Sequence, residues 1–156
     1  MLSAILNPSD IIIRLDSTEK EEAFAELLEV MVAKNPGINR NEAMSVLINR
    51  ENKMSTAIFP SIAVPHGVCS SIKKTAVAIG ISHKGIEFEP VESDKNSTNP
   101  IVNIIFEILF EQEGTGTHLH VLRDILQLVS QPEFVTKILQ TSTAQEAYDF
   151  ITSLEL

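Results

Sequence analysis

The sequence predicts an α/β protein built on a layered sheet, and three observations predict it. Residues 101–110 are apolar at nearly every position rather than at alternate ones, the pattern of a strand buried on both faces. Short β-branched runs at 11–15 and 75–81 are interleaved with segments whose apolar residues recur at helical spacing. The 156 residues are enough to bury a real core and show no repeat, low-complexity tract or composition shift, so 1–156 reads as one domain.

Residues 11–15 read as a strand or extended segment. In the helix that follows, Thr18 and Glu21 form a capping-box pair and Phe24, Leu27, Leu28, Met31 and Val32 share a face; Asn35-Pro36-Gly37 ends it. Asn39, with Glu42, caps a second helix whose face carries Ala43, Val46, Leu47 and Arg50. A short β-like run, Ile62-Ala63-Val64, then leads into Pro65-His66-Gly67. Pro65 fixes its own φ and turns Val64 away from helix, while Gly67 leaves room for a turn or a close approach. His66 is thereby displayed at a strand end. Residues 75–81 read as a strand, 83–85 as a turn with His83 solvated, and 86–88 as a short return strand. Residues 89–100 are rich in turn formers and read as a mobile loop. After the 101–110 strand and a glycine-containing connection, Thr117 caps a helix with Leu122, Ile125, Leu126 and Val129 as its buried stripe. Pro132 suits the first turn of a short helix. Thr143 with Glu146 caps the last, which buries Ala147, Phe150, Ile151 and Leu154.

Composition narrows the function classes. A net charge of -9 argues against nucleic-acid binding, which needs clustered Lys and Arg, and against an anionic membrane surface. The most apolar run, 101–110, is about half the span of a bilayer, and no basic n-region precedes the apolar residues near Met1. The single cysteine, Cys69, excludes an internal disulfide and fits a reducing compartment. A cytoplasmic protein without membrane insertion is expected.

Three residues at the ends of regular elements carry candidate chemistry. His66 offers a neutral imidazole nucleophile. Arg50, near a helix C-terminus, offers a charged fork for phosphoryl oxygens, although complementing the helix end is the simpler reading for it alone. His118, at a helix N-terminus, lies where anions are favoured and the imidazolium is not.

The run Arg50-Glu51, Ser55-Thr56 and Ile62-Ala63-Val64-Pro65-His66-Gly67 resembles the active-site region of phosphotransferase-system enzyme IIA proteins of the fructose/mannitol type, including the nitrogen-regulatory branch. The resemblance continues through Gly85-Ile86-Glu87-Phe88 and 101–110 to Thr117-His118-Leu119-His120-Val121-Leu122, a second histidine motif. It implies a mixed sheet flanked by helices on both faces, as in mannitol-specific enzyme IIA. It implies that His66 accepts a phosphoryl group from an HPr-like phosphocarrier protein and passes it to a IIB partner or uses it as a regulatory signal. By the same resemblance His118 supports the phosphoryl group, Arg50 neutralises its charge, His120 points elsewhere, and no cofactor, nucleotide or metal takes part. The chain departs from the family where Ala57, Phe59, Pro60 and Ser61 stand in a segment that commonly holds glycines.

The rival from another class is a non-catalytic regulatory module that binds a protein through the same fold. A zinc site from His66, His118, His120 and Cys69 lacks compact ligand spacing, and no Gly-x-Ser-x-Gly turn supports a hydrolase.

Overall fold

The computed structural model describes residues 1–91 and 98–155. Short 3-10 turns at Leu2–Ala4 and Pro8–Asp10 lead into strand β1 (Ile11–Ile12), helices α1 (Lys20–Lys34) and α2 (Arg40–Lys53), and strands β2 (Ile62–Ala63), β3 (His66–Val68), β4 (Ala76–Glu87) and β5 (Ile101–Phe110). Helices α3 (Thr115–Val129), α4 (Phe134–Leu139) and α5 (Ala144–Ser153) follow.

The sheet is mixed. Its order is β1-β4-β5-β2, with β3 continuing along the same edge of β5. Strands β4 and β5 run antiparallel, whereas β1 on β4 and both β2 and β3 on β5 are parallel. Helices cover both faces. One core gathers the N-terminal turns and residues of α3, α4 and α5 around Ile104, Phe106, Ile108 and Phe110. The other packs α1 and α2 on Val102, Ile105 and Leu109. Burial on both sides is why β5 reads as a continuous apolar run.

Several local expectations shift. Helix α1 begins at Lys20 with no side-chain cap, so Thr18 and Glu21 form no capping box. Instead the Glu26 carboxylate accepts the N–H groups of Asp16 (3.1 Å) and Ser17 (2.9 Å) and the Ser17 hydroxyl (2.6 Å). The caps at Asn39 and Thr143 form as the sequence indicates, each accepting the N–H three residues on. Helix α3 starts three residues early, with Gly114 rather than Thr117 at its N-cap. Pro132 precedes α4, whose N-cap is Glu133. Residues 83–85 do not reverse the chain: β4 continues through a register shift between Ile81 and Ile86 and stays paired with β5 to Glu87. Gly85, at φ 86°, supplies the left-handed residue this bulge needs. Of the expected loop at 89–100, residues 92–97 lie outside the described residues.

Two features cost stability. Ser61 holds a left-handed φ of 68°, pinned because its carbonyl accepts the N–H groups of Asn103 (2.8 Å) and Ile104 (3.0 Å). Glu107 sits in mid-β5 opposite Ala78, fully buried, and neither carboxyl oxygen has a hydrogen-bond partner among the described residues.

Burial alone pushes the Glu107 carboxyl well above its ordinary value of 4.5. The folded chain therefore keeps a proton that the unfolded chain releases. This group's contribution to stability is full below the unfolded pKa and is lost as pH rises toward the folded one. Glu107→Leu is expected to raise the unfolding free energy by about 1–3 kcal/mol near pH 7 and by less near pH 4, measured by urea unfolding. A variant no more stable than the parent near pH 7 would contradict this.

Candidate functional site

His66 opens β3 and is held by a chain of hydrogen bonds that starts in α2. Glu51 falls on the buried stripe of that helix, one turn beyond Leu47. Its carboxyl oxygens accept the Thr56 N–H (3.1 Å) and hydroxyl (2.6 Å). The Thr56 carbonyl accepts the Val64 N–H (3.0 Å), and the Val64 carbonyl meets His66 Nδ1 at 2.8 Å. A carbonyl can only accept, so Nδ1 carries the proton and Nε2 keeps its lone pair. The ring is half-buried. Burial pushes its pKa below 6.5; the Val64 bond opposes that shift, and the Arg50 charge adds to it. A neutral, nucleophilic imidazole results near neutral pH.

The strand carrying His66 is locked against α2. A Cβ at Gly67 would lie 2.9 Å from Val46 Cγ2 and 3.3 Å from the Val46 backbone, so glycine here serves close packing against α2. Just beyond, the Glu42 carboxylate accepts from Cys69 Sγ (2.9 Å), the Ser70 hydroxyl and the Ser71 N–H (3.1 Å). Led by the Cys69 bond, these interactions draw its pKa down to about 2.

Arg50 complements the end of its own helix and also faces a cavity. Its Nη1 donates to the Met54 carbonyl at 2.6 Å, just past the end of α2. The side chain also lines, with Thr56, Ile58, His66, Leu122 and Leu126, a cavity of about 120 Å³. Leu126, read from the sequence as core, is exposed there, whereas Ile125 and Val129 are buried as expected and are joined by Val121 and Leu128.

His118 lies in the first turn of α3, and its Nε2 donates to the Glu111 carbonyl at 2.8 Å. Phe110, the last residue of β5, stands against both imidazoles. The His118 ring stacks on it with centroids 4.1 Å apart, and the His66 ring meets it edge-on at 6.1 Å. The structure therefore brings Arg50, His66 and His118 into one region. His120 lines a different groove with Arg123 and Asp124. Among the described residues no cluster of three His, Cys, Asp or Glu groups forms a metal site, and no helix is long and apolar enough to cross a membrane.

Sequence reasoning gave no role to Glu51, Phe110 or the Glu111 carbonyl. Glu51 left a signal, since positions 43, 47 and 51 share a helix face and an acid there needs a partner. Nothing local marks Phe110, because its contact with His66 comes from β3, a strand distant in the sequence.

A model of the family described as phosphoenolpyruvate-dependent sugar phosphotransferase system, EIIA 2, matches residues 4–154. The fructose-specific EIIABC component of Bacillus subtilis is 25% identical over 150 residues, which make up 96% of this chain and 23% of that longer protein. The nitrogen regulatory protein IIA-Ntr of Neisseria meningitidis has the same fold, with a TM-score of 0.83 at 23% identity over 96% of this chain and 98% of that one. The solved complex of enzyme IIA-mannitol with phosphorylated enzyme IIB-mannitol from Escherichia coli matches with a TM-score of 0.76 at 20% identity, over 95% of this chain and 97% of that one.

Glu51→Ala is expected to leave the buried Thr56 N–H and hydroxyl unpaired and to cost about 1–3 kcal/mol, read as a lower urea midpoint. Unchanged stability would show that the Glu51–Thr56 contact contributes nothing net.

Proposed function

This chain belongs to the EIIA 2 family of the phosphoenolpyruvate-dependent sugar phosphotransferase system, and from that premise we propose that it is a phosphohistidine relay protein with His66 as the acceptor. The observation that carries the reading is the tie between His66 Nδ1 and the Val64 carbonyl, which leaves Nε2 as the nucleophile beside Arg50. In the transfer, the N–P bond of a donor phosphohistidine breaks and its electron pair stays on the donor nitrogen. The bond from His66 Nε2 to phosphorus forms, while the proton stays on Nδ1, donated to the Val64 carbonyl. Such a step asks the protein for positioning and charge stabilisation. Arg50 faces the incoming phosphoryl oxygens with the donors it does not spend on Met54. His118 has its Nε2–H committed to Glu111, so its Nδ1 donates to the phosphoryl oxygens only in the doubly protonated ring.

An HPr-like phosphocarrier is the donor in this reading, and a IIB protein or a regulatory target is the acceptor. The solved mannitol complex pairs a IIA with a phosphorylated IIB. Protein partners also suit the surface near His66, where Met54, Ile58, Val68, Leu119 and Leu126 are exposed. The nitrogen-regulatory likeness in fold keeps a second reading in view, a regulatory module that binds its partner without turnover.

Incubation with an HPr-like protein charged from phosphoenolpyruvate is expected to add an acid-labile phosphoryl group to His66, detected by mass and absent in His66→Ala. Arg50→Ala is expected to slow labelling by about 10²-fold with the fold intact, and His118→Ala to impair transfer yet permit some label. Label on His118 in His66→Ala would reverse the roles. No label from any cognate donor would favour the regulatory module.

A further inference from the structure

Phe110 belongs to neither histidine motif, yet it is the side chain that touches both rings. Its backbone has little freedom. Phe110 pairs with Val68 of β3, its carbonyl accepts the Cys69 N–H at 2.8 Å, and the preceding Leu109 pairs with Ala76 of β4. The side chain is buried and points with Ile104, Phe106 and Ile108 into the core beneath α3, α4 and α5. From that fixed base, one aromatic ring meets two imidazoles delivered by different elements. His118 from α3 lies nearly parallel to it, at 4.1 Å and 26°, whereas His66 from β3 meets it edge-on, at 6.1 Å and 72°. These are the offset-stacked and edge-to-face arrangements that aromatic quadrupoles favour. Among the described residues no hydrogen bond joins His66 to His118.

We propose, resting on the relay reading above, that Phe110 is a positioning residue. Its ring fixes the two imidazoles relative to each other, so that a phosphoryl group on His66 falls within reach of His118. Each imidazole has one further restraint at an edge, the Val64 carbonyl for His66 and the Glu111 carbonyl for His118. A single edge bond leaves a ring free to swing about that bond, and contact with a flat neighbour removes the swing. An aliphatic side chain of similar size fills the core but has no planar face. Phe110 also keeps water from one side of His66, whose pKa is lowered first by burial and otherwise answers to Val64, Arg50, Glu51 and His118.

The test compares Phe110→Leu with Phe106→Leu. Phe106 is equally buried on the same face of β5 but stacks on Phe134 instead of a histidine, so its variant carries the same core loss without the ring contact. Imidazole nitrogen NMR across a pH series, with labelling rates at varied donor concentration, gives both readouts in the folded full chain. In Phe110→Leu the His66 titration midpoint is expected to rise toward 6.5 and the rate at saturating donor to fall about 10-fold with little change in donor KM; in Phe106→Leu both stay at parent values. Equal midpoints and equal rates in the two variants would overturn the positioning role. If the parent accepts no label at all, the relay reading fails. The NMR comparison still decides whether Phe110 orients the two rings: a shifted midpoint confined to Phe110→Leu supports that role, and its absence overturns it.

Discussion

One backbone carbonyl, that of Val64, decides which nitrogen of His66 carries the proton. Everything the site does chemically follows from that bond, because the nitrogen left bare is the one that can attack. The carbonyl is itself fixed from a distance. Glu51 holds Thr56, Thr56 holds Val64, and Val64 holds His66, so a buried acid in a helix sets the tautomer of an imidazole two elements away. Removing water from around the ring then keeps it neutral, and the neighbouring guanidinium acts in the same direction.

The sheet supplies the rigidity this arrangement requires. Strand β5 is laddered on both sides, and its C-terminal end is where β3, β4 and the first turn of α3 converge. A side chain at that end is firmly placed, which is why Phe110 can serve as a wall against which both imidazoles rest. The same strand carries an uncompensated burden in Glu107, and the segment leading to β2 carries another in the left-handed backbone of Ser61. Ser61 keeps its left-handed backbone because a pair of hydrogen bonds to its carbonyl holds it.

Much of this was legible in the sequence, and the remainder failed for identifiable reasons. The nearly continuous apolar run of β5 gave away a doubly covered sheet, and the two histidine motifs gave away where the chain would converge. Caps were readable at Asn39 and Thr143, where the side chain serves its own helix. They were unreadable at Thr18 and Thr117, where the helices start at other residues without a side-chain cap. The bulge in β4 looked like a hairpin turn because glycine in a left-handed conformation suits either, and only pairing with β5 distinguishes them. Leu122 and Leu126 were counted as core because spacing records a helix face but not what lies opposite. That face looks toward the cavity beside His66.

The account is tested most directly by asking which ring nitrogen of His66 is bare before transfer and which bears phosphorus afterwards. Imidazole nitrogen correlations on the free and phosphorylated protein answer both in one sample. The account predicts a proton on Nδ1 in the free protein and phosphorus on Nε2 after transfer. A proton on Nε2, or phosphorus on Nδ1, would contradict it.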